Sequence, residues 1–210
     1  MHIILASQSP SRLHILQKMK LMVQVKPANI DETPLPHEKP DQLALRLALT
    51  KAKKIAAMEE NGFIIGADTV SVCEEEILPK AVDNDKIRYC LHKCSGKIRK
   101  EMTGVCVIKK HYHKMMIEQN VIISEIYFNK LSEQEIEFYV NAQEALNTAG
   151  GFKIEGIGEI FIQKIKGNPS SISGLPMSII YQMLTKLGYP FFDIKKNNHI
   201  IKRLNHLKTV

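Results

Sequence analysis

Arg12, Lys51 and Lys80 supply cations, and Glu32 and Asp68 supply carboxylates, a combination suited to holding a polyphosphate. A bound triphosphate brings roughly four negative charges, which Arg and Lys donors, backbone amides at a helix start, or a divalent cation can offset. Arg12, Lys51, Lys80 and a helix opening at Ser9-Pro10 provide the first two. Glu32 and Asp68 provide the third, because Mg²⁺ or Mn²⁺ prefers hard carboxylate oxygens and keeps waters that can be turned onto phosphorus. One of these carboxylates can also take the proton of that water. Ser7, Ser9, Thr69, Lys153 and Glu155, at junctions between segments, complete the candidate substrate contacts. Each residue has a plainer alternative: Asp68 as a strand-end cap, Ser7 and Ser9 as turn and N-cap residues, Glu32 and the lysines as solvated surface.

The elements that must position these residues alternate between strand and helix. Residues 3–6 read as a short buried strand running into Ser7-Gln8-Ser9-Pro10, where Ser9 caps a helix and Pro10 takes its first position. Residues 21–25 form a second strand, leading into the Asp31-Glu32-Thr33-Pro34 loop. From Pro40 a helix aligns Leu43, Ala44, Leu47, Ala48 and Ala52, with Lys51, Lys53 and Lys54 in its C-terminal half and none of the three distinguished by position. The apolar strand 63–65 ends at Gly66-Ala67-Asp68-Thr69, which places Asp68 at the carboxyl end of a buried strand, where α/β crevices open.

Further on, 77–80 is extended, and a helix from about Asp83 carries Ile87, Cys90, Leu91 and Cys94 at helical spacing. Strands 102–108 and 121–128 pair antiparallel across a hydrophilic connection from His111 to Asn120, in which His111 and His113 read as solvated rather than metal-binding. Ser132 and Glu135 make the capping box of a helix ending near Val140. Residues 150–156 read as a flexible polar turn, 160–162 as a strand, and Gly174-Leu175-Pro176 as the start of a last helix closed by Gly188. This interleaving predicts an α/β fold, a mixed central sheet flanked by helices on both faces.

The 210 residues are 44% hydrophobic and 24% charged, enough for a buried core without disulfides. The expected organisation is one domain over 1–192 and a basic tail over 193–210. Lys195, Lys196, Lys202, Arg203 and Lys208 against Asp193 give that tail about four of the formal +7 charges, so the body is only modestly basic. With no Trp and no zinc-finger, KH or RRM pattern, nucleic acid is not the expected partner. Cys73, Cys90, Cys94 and Cys106 form no CxxC pair and read as reduced, half-buried thiols of a cytoplasmic protein. The N-terminus lacks the apolar core of a signal peptide, and no apolar run reaches the ~18 residues of a membrane span. Walker A, dinucleotide-binding and GxSxG patterns are absent, which removes kinase, P-loop ATPase, nicotinamide dehydrogenase and serine hydrolase readings.

Eight strings in order then carry a resemblance: LASQSPSR (5–12), DETP (31–34), LALTKA (47–52), GADTV (66–70), ILPKA (77–81), SGKIRKEMTGV (95–105), AGGFKIEG (149–156) and SGLPM (173–177). Together they make the chain similar to the Maf family of nucleotide pyrophosphatases from residue 3 to about 188. The resemblance implies a mixed sheet with a cleft between two lobes, frequent homodimers, and metal-dependent cleavage of the α–β phosphoanhydride of nucleoside triphosphates. It implies Asp68 as proton acceptor, Glu32 as the acidic partner for metal or water, and Arg12, Lys51 and Lys80 as phosphate-contacting bases. Ser7 and Ser9 fall in the phosphate-side loop, Thr69 follows the aspartate, and Lys153 and Glu155 fall where the family's subtypes differ. GADTV resembles the branch handling dTTP and UTP, whereas Phe152-Lys153-Ile154-Glu155 resembles the branch handling 7-methyl-GTP. Ser11 replaces a frequent arginine or aromatic, Ala81 follows Lys80 where proline is common, and Arg99 stands where histidine often does. The second reading, from the family's link to septum formation and from the basic tail, is a non-catalytic nucleotide- or nucleic-acid-binding regulator of cell division.

Overall fold

The computed structural model describes residues 2–192, and the predicted tail 193–210 lies outside them. The chain runs β1 (Ile3–Leu5), α1 (Pro10–Lys18), β2 (Val23–Val25), α2 (Pro40–Ala57), β3 (Asn61–Cys73), β4 (Glu76–Ile77), α3 (Asn84–Cys94), β5 (Ile98–His111), β6 (Lys114–Phe128) and α4 (Glu133–Asn141). A 3₁₀ turn (Ile157–Phe161), β7 (Ile162–Lys166), α5 (Pro169–Ile172) and α6 (Met177–Lys186) follow. The strands form one seven-stranded sheet in the order β2-β1-β3-β5-β6-β7, with β4 attached to β3. The first three of that order are parallel and the rest antiparallel, so the sheet is mixed, as expected.

Alternation along the central strands sends side chains to two different cores. Ile3, Leu5, Phe63, Ile65, Val105 and Val107 pack under α1 and α6, whereas Ile4, Ile64, Cys106 and Ile108 pack under the Ala48, Ala52 and Ile55 stripe of α2. Helices therefore cover both faces. A further core joins Ile87, Leu91, Ile136, Tyr139, Phe152 and Phe161 to Ile126 and Phe128, building a second lobe from α3, α4 and the 3₁₀ turn.

Two glycines set how closely α2 lies on the sheet. A Cβ on Gly66 would sit 2.2 Å from the Ala48 carbonyl oxygen, and one on Gly104 2.2 Å from that of Ala44. Only hydrogen fits at either place, so helix and strand backbones are in direct contact.

Several sequence expectations need correction. Asp68 is not at a strand end: β3 continues to Cys73 because β5 pairs with it from Asn61↔His111 through Cys73↔Arg99. On its other edge, β1 stops at Leu5↔Ile65 and β4 begins only at Val72, leaving β3 without a strand neighbour from Gly66 to Ser71 on that side. Asp68 thus lies just beyond the parallel part of the sheet, inside its own strand. The 111–120 connection is mostly strand, a two-residue turn at Tyr112–His113 sufficing because Tyr112 takes φ 49°. The strand expected at 160–162 begins at Ile162, after the 3₁₀ turn. All four cysteine thiols are buried rather than half-buried.

Candidate active site

The gap along β3 opens into a cleft of ≈ 1000 Å³ between the two lobes. Ser7, Ser9, Arg12, Glu32, Lys51, Asp68, Thr69, Lys80, Lys153 and Glu155 all border it, so every predicted site residue is brought to one place.

Its centre is a lysine between two carboxylates. Lys51 Nζ lies 2.6 Å from Asp68 Oδ1 and 2.7 Å from Glu32 Oε1. Lys51 is 8% exposed and Asp68 9%, whereas the Glu32 side chain is 58% exposed. α2 delivers the ammonium because position 51 falls on the buried face with Leu47, Ala48, Ala52 and Ile55, while Lys53 and Lys54 are exposed, Lys54 donating to the Asn29 carbonyl at 2.7 Å. A lysine inside an apolar helical stripe was the signal that distinguishes it from its neighbours. β3 delivers Asp68 to the same side, opposite Gly104 on β5, whose missing side chain lets the helix approach.

Glu32 is held indirectly. Arg46 on α2 donates to both Glu38 oxygens, 2.6 and 2.8 Å away, and to the Thr33 carbonyl at 3.0 Å, tying the 31–38 loop to the helix. The Arg46 hydrogen bonds hold the Glu38 carboxyl well below its usual range, at about 2. Asp31 is turned away into an Asx turn with Thr33, accepting from its amide and hydroxyl, so it is a loop former.

Arg12 is the second fixed cation. It donates from Nε to the Gly174 carbonyl at 3.0 Å, from Nη1 to Ser7 Oγ at 3.2 Å and from Nη2 to Thr69 Oγ1 at 3.4 Å. A guanidinium has five N–H groups, so two remain for a ligand. Burial lowers its pKa, and Asp68 and Glu32 offset part of that, leaving it cationic.

Proton counting gives the hydroxyls opposite roles. Ser7 Oγ accepts from Arg12 and from the Ser9 amide, which leaves its own proton for an oxyanion. Thr103 spends its proton on the Ser171 carbonyl at 2.8 Å, so Thr69, 3.1 Å away, must donate to Thr103. Thr69 can therefore only accept from a ligand. Ser9 accepts from the Arg12 amide as the α1 N-cap. Lys80 is exposed at the cleft mouth, its backbone bridged to Ala149, with no side-chain partner among the described residues.

Among the cleft-bordering residues given no site role from the sequence, Ser71, Arg99 and Glu101 are buried polar groups, and of these the sequence singles out only Arg99, as standing where histidine often does. Arg99 and Glu101 are 2% and 1% exposed and form an ion pair, with Ser71 donating to Glu101 Oε2 at 2.8 Å. Burial raises the Glu101 pKa against the pull of Arg99. The visible signal was two opposite charges at i and i+2 of a strand, which share a face.

As to metal, no group of three or more His, Cys, Asp or Glu side chains is gathered among the described residues. The donor set fits a hard cation that uses one or two carboxylates and takes its remaining ligands from substrate phosphates and water. Glu32 and Asp68 would hold it through the carboxylate oxygens that Lys51 leaves free, since the ammonium itself takes Glu32 Oε1 and Asp68 Oδ1.

Fold and cleft define an α/β protein whose inter-lobe site concentrates fixed cations around paired carboxylates. The chain belongs to the Maf-like protein family, whose family model matches residues 2–187. Among its relatives, a "Nucleoside triphosphate pyrophosphatase" of Orientia tsutsugamushi is 45% identical over 200 residues, covering 94% of this chain and 96% of the relative. Proteins of the same name from Rickettsia felis and Rickettsia rickettsii are 42% and 43% identical, covering 91% and 89% of this chain and 95% and 88% of their own lengths. No helix among the described residues is long and apolar enough to cross a membrane.

Proposed function

We propose that this protein is a nucleoside triphosphate pyrophosphatase that hydrolyses the α–β bond to give a nucleoside monophosphate and diphosphate. The observation that carries this reading is the Lys51 ammonium held between Asp68 and Glu32 in a cleft flanked by Arg12 and Lys80. The names of relatives that are 42% and 45% identical over the aligned residues support the choice of bond.

In this reading the triphosphate lies along Arg12, Ser7, Lys51 and Lys80 and accepts from the N–H and O–H groups that they do not spend inside the protein. A divalent cation held by Glu32 and Asp68 would supply Lewis-acid polarisation of the phosphoryl oxygens and lower the pKa of bound water. Asp68, fixed through Oδ1 by Lys51, takes a proton from the attacking water through its other oxygen. The water oxygen bonds to the α-phosphorus, the α–β bridging bond breaks, and diphosphate leaves with its charge matched by Lys51, Lys80 and Arg12. The substrate in this reading is a nucleoside triphosphate, either of the dTTP or UTP type or a modified one of the 7-methyl-GTP type, hydrolysed in a house-cleaning role. The cytoplasm is the expected location, and a homodimer the expected assembly.

The decisive experiment is a panel of normal and modified nucleoside triphosphates with Mg²⁺, Mn²⁺ or EDTA, scored separately for diphosphate and orthophosphate. Metal-stimulated diphosphate with equimolar monophosphate is expected. Orthophosphate alone would overturn the bond assignment, and no turnover at all would leave the non-catalytic binding reading.

A further inference from the structure

The buried Arg99–Glu101 pair borders the cleft without being arranged to receive a substrate. Arg99 Nε donates to Glu101, Nη1 to the Gly150 carbonyl at 2.7 Å, and Nη2 to Ser71 Oγ at 2.8 Å and the Ala149 carbonyl at 3.0 Å. Four of its five N–H groups are thus spent inside the protein, against three for Arg12. Its guanidinium also lies 5.6 Å from the centre of the Phe152 ring, so one side chain grips residues 149, 150 and 152. Gly150, at φ 61°, is pressed so closely on it that a Cβ there would stand 2.7 Å from Nη2.

What that grip controls is the next stretch of chain. The Lys153 amide donates to the Tyr139 hydroxyl at 2.9 Å and the Ile157 amide to Glu144 at 2.9 Å, so the segment is pinned again just beyond. Between these anchors the Lys153 and Glu155 side chains border the cleft. The 150–156 segment is therefore not the flexible turn its glycines and polar residues predict. A buried ion pair is weak grounds for stability, since apolar residues of equal volume often serve as well. No apolar residue, however, can bind two successive carbonyls and orient a backbone.

We propose that Arg99, braced by Glu101 and Ser71, is a positioning residue that aims Lys153 and Glu155 at the nucleotide across the cleft from the Lys51–Asp68 centre. This rests on the cleft being the triphosphate site.

The test compares wild type, R99K and E101Q for KM and kcat, and for affinity of the α,β-methylene analogues of UTP and GTP measured by calorimetry. Lysine keeps the charge but cannot fork onto both carbonyls. R99K is expected to raise KM and weaken analogue binding about tenfold while kcat changes less than about threefold, the pattern of lost ground-state binding. In the same background, the change in UTP-over-GTP preference caused by E155Q should shrink, which a merely structural role would not produce. A folded R99K with KM and analogue affinity within about twofold of wild type, or one losing kcat alone, overturns the proposal. Should R99K not fold, E101Q is judged by the same criteria, because it keeps the shape and removes only the brace. Wild type that binds the analogues yet releases no diphosphate from UTP or GTP themselves would sink the reaction, while this inference is then decided by the analogue affinities alone.

Discussion

The Lys51 ammonium stands 2.6 Å from Asp68 Oδ1 across a helix–strand contact made possible by two glycines. This pair is buried, yet it is not closed, because the exposed Glu32 approaches the same ammonium from the solvent side. Removing one member of a buried pair generally costs about 3–5 kcal/mol through the stranded charge. Here Glu32 remains to Lys51 when Asp68 is neutralised, so stability and activity should respond differently.

Asp68→Asn is accordingly expected to fold with a Tm close to wild type and to lose diphosphate release by about 10²–10⁴-fold, the usual worth of a positioned base. Full activity in the purified variant would end the role assigned to Asp68.

Lys51→Met separates charge from packing. Methionine suits the apolar stripe of α2, so the helix should remain docked with a lowered Tm from the Asp68 carboxylate left without its ammonium, whereas a triphosphate loses its most buried cation. Diphosphate release should fall by about 10²–10³-fold, comparable to deleting one preorganised donor. Activity within a few-fold of wild type would show that Lys51 only holds the helix in place.

Gly104→Ala tests the contact itself. The added methyl would meet the Ala44 backbone carbonyl at 2.2 Å, and backbone cannot swing aside as a flexible side chain can. Displacing α2 should cost about 1–3 kcal/mol or more, read as a lower denaturation midpoint, and activity should drop with it because Lys51 moves. Unchanged stability would mean the helix and sheet are less tightly packed than described.

Much of this was legible in the sequence, and the losses have physical causes. The apolar runs at 3–5 and 63–65, the Ser9-Pro10 start and the Ser132/Glu135 capping box all set local structure by their own chemistry, and the elements formed there. Asp68 was expected at a strand end because Gly66 and Asp68 are poor strand residues. Thirteen residues of β5 pairing override that propensity, and the second glycine serves packing rather than turning. Arg99 and Glu101 lie just before the strand expected from residue 102, so with that boundary the face they share was not legible, and the 149–150 backbone that Arg99 binds is some fifty residues away in sequence. Side-chain types located the site, while the contacts that orient it are long-range.

The loop carrying Glu32 offers a pH-dependent prediction. Its anchor is Glu38, whose carboxyl the Arg46 hydrogen bonds hold at about 2 rather than the usual 4.5. A carboxyl with a depressed folded-state pKa contributes stability that is fully present above its unfolded value and is lost as pH falls through the folded one. The contribution should therefore be complete above about pH 4.5 and disappear on approaching pH 2. Glu38→Gln cannot ionise, so it should lower Tm near neutral pH and show a shallower fall between pH 5 and 2 than wild type, as scanning calorimetry across that range would read. Since Arg46 also binds the Thr33 carbonyl, the same variant should loosen Glu32 and raise KM at neutral pH without removing any group that borders the phosphates. Parallel Tm curves for the two proteins would show that the Arg46–Glu38 pair is screened by solvent and does not hold the loop.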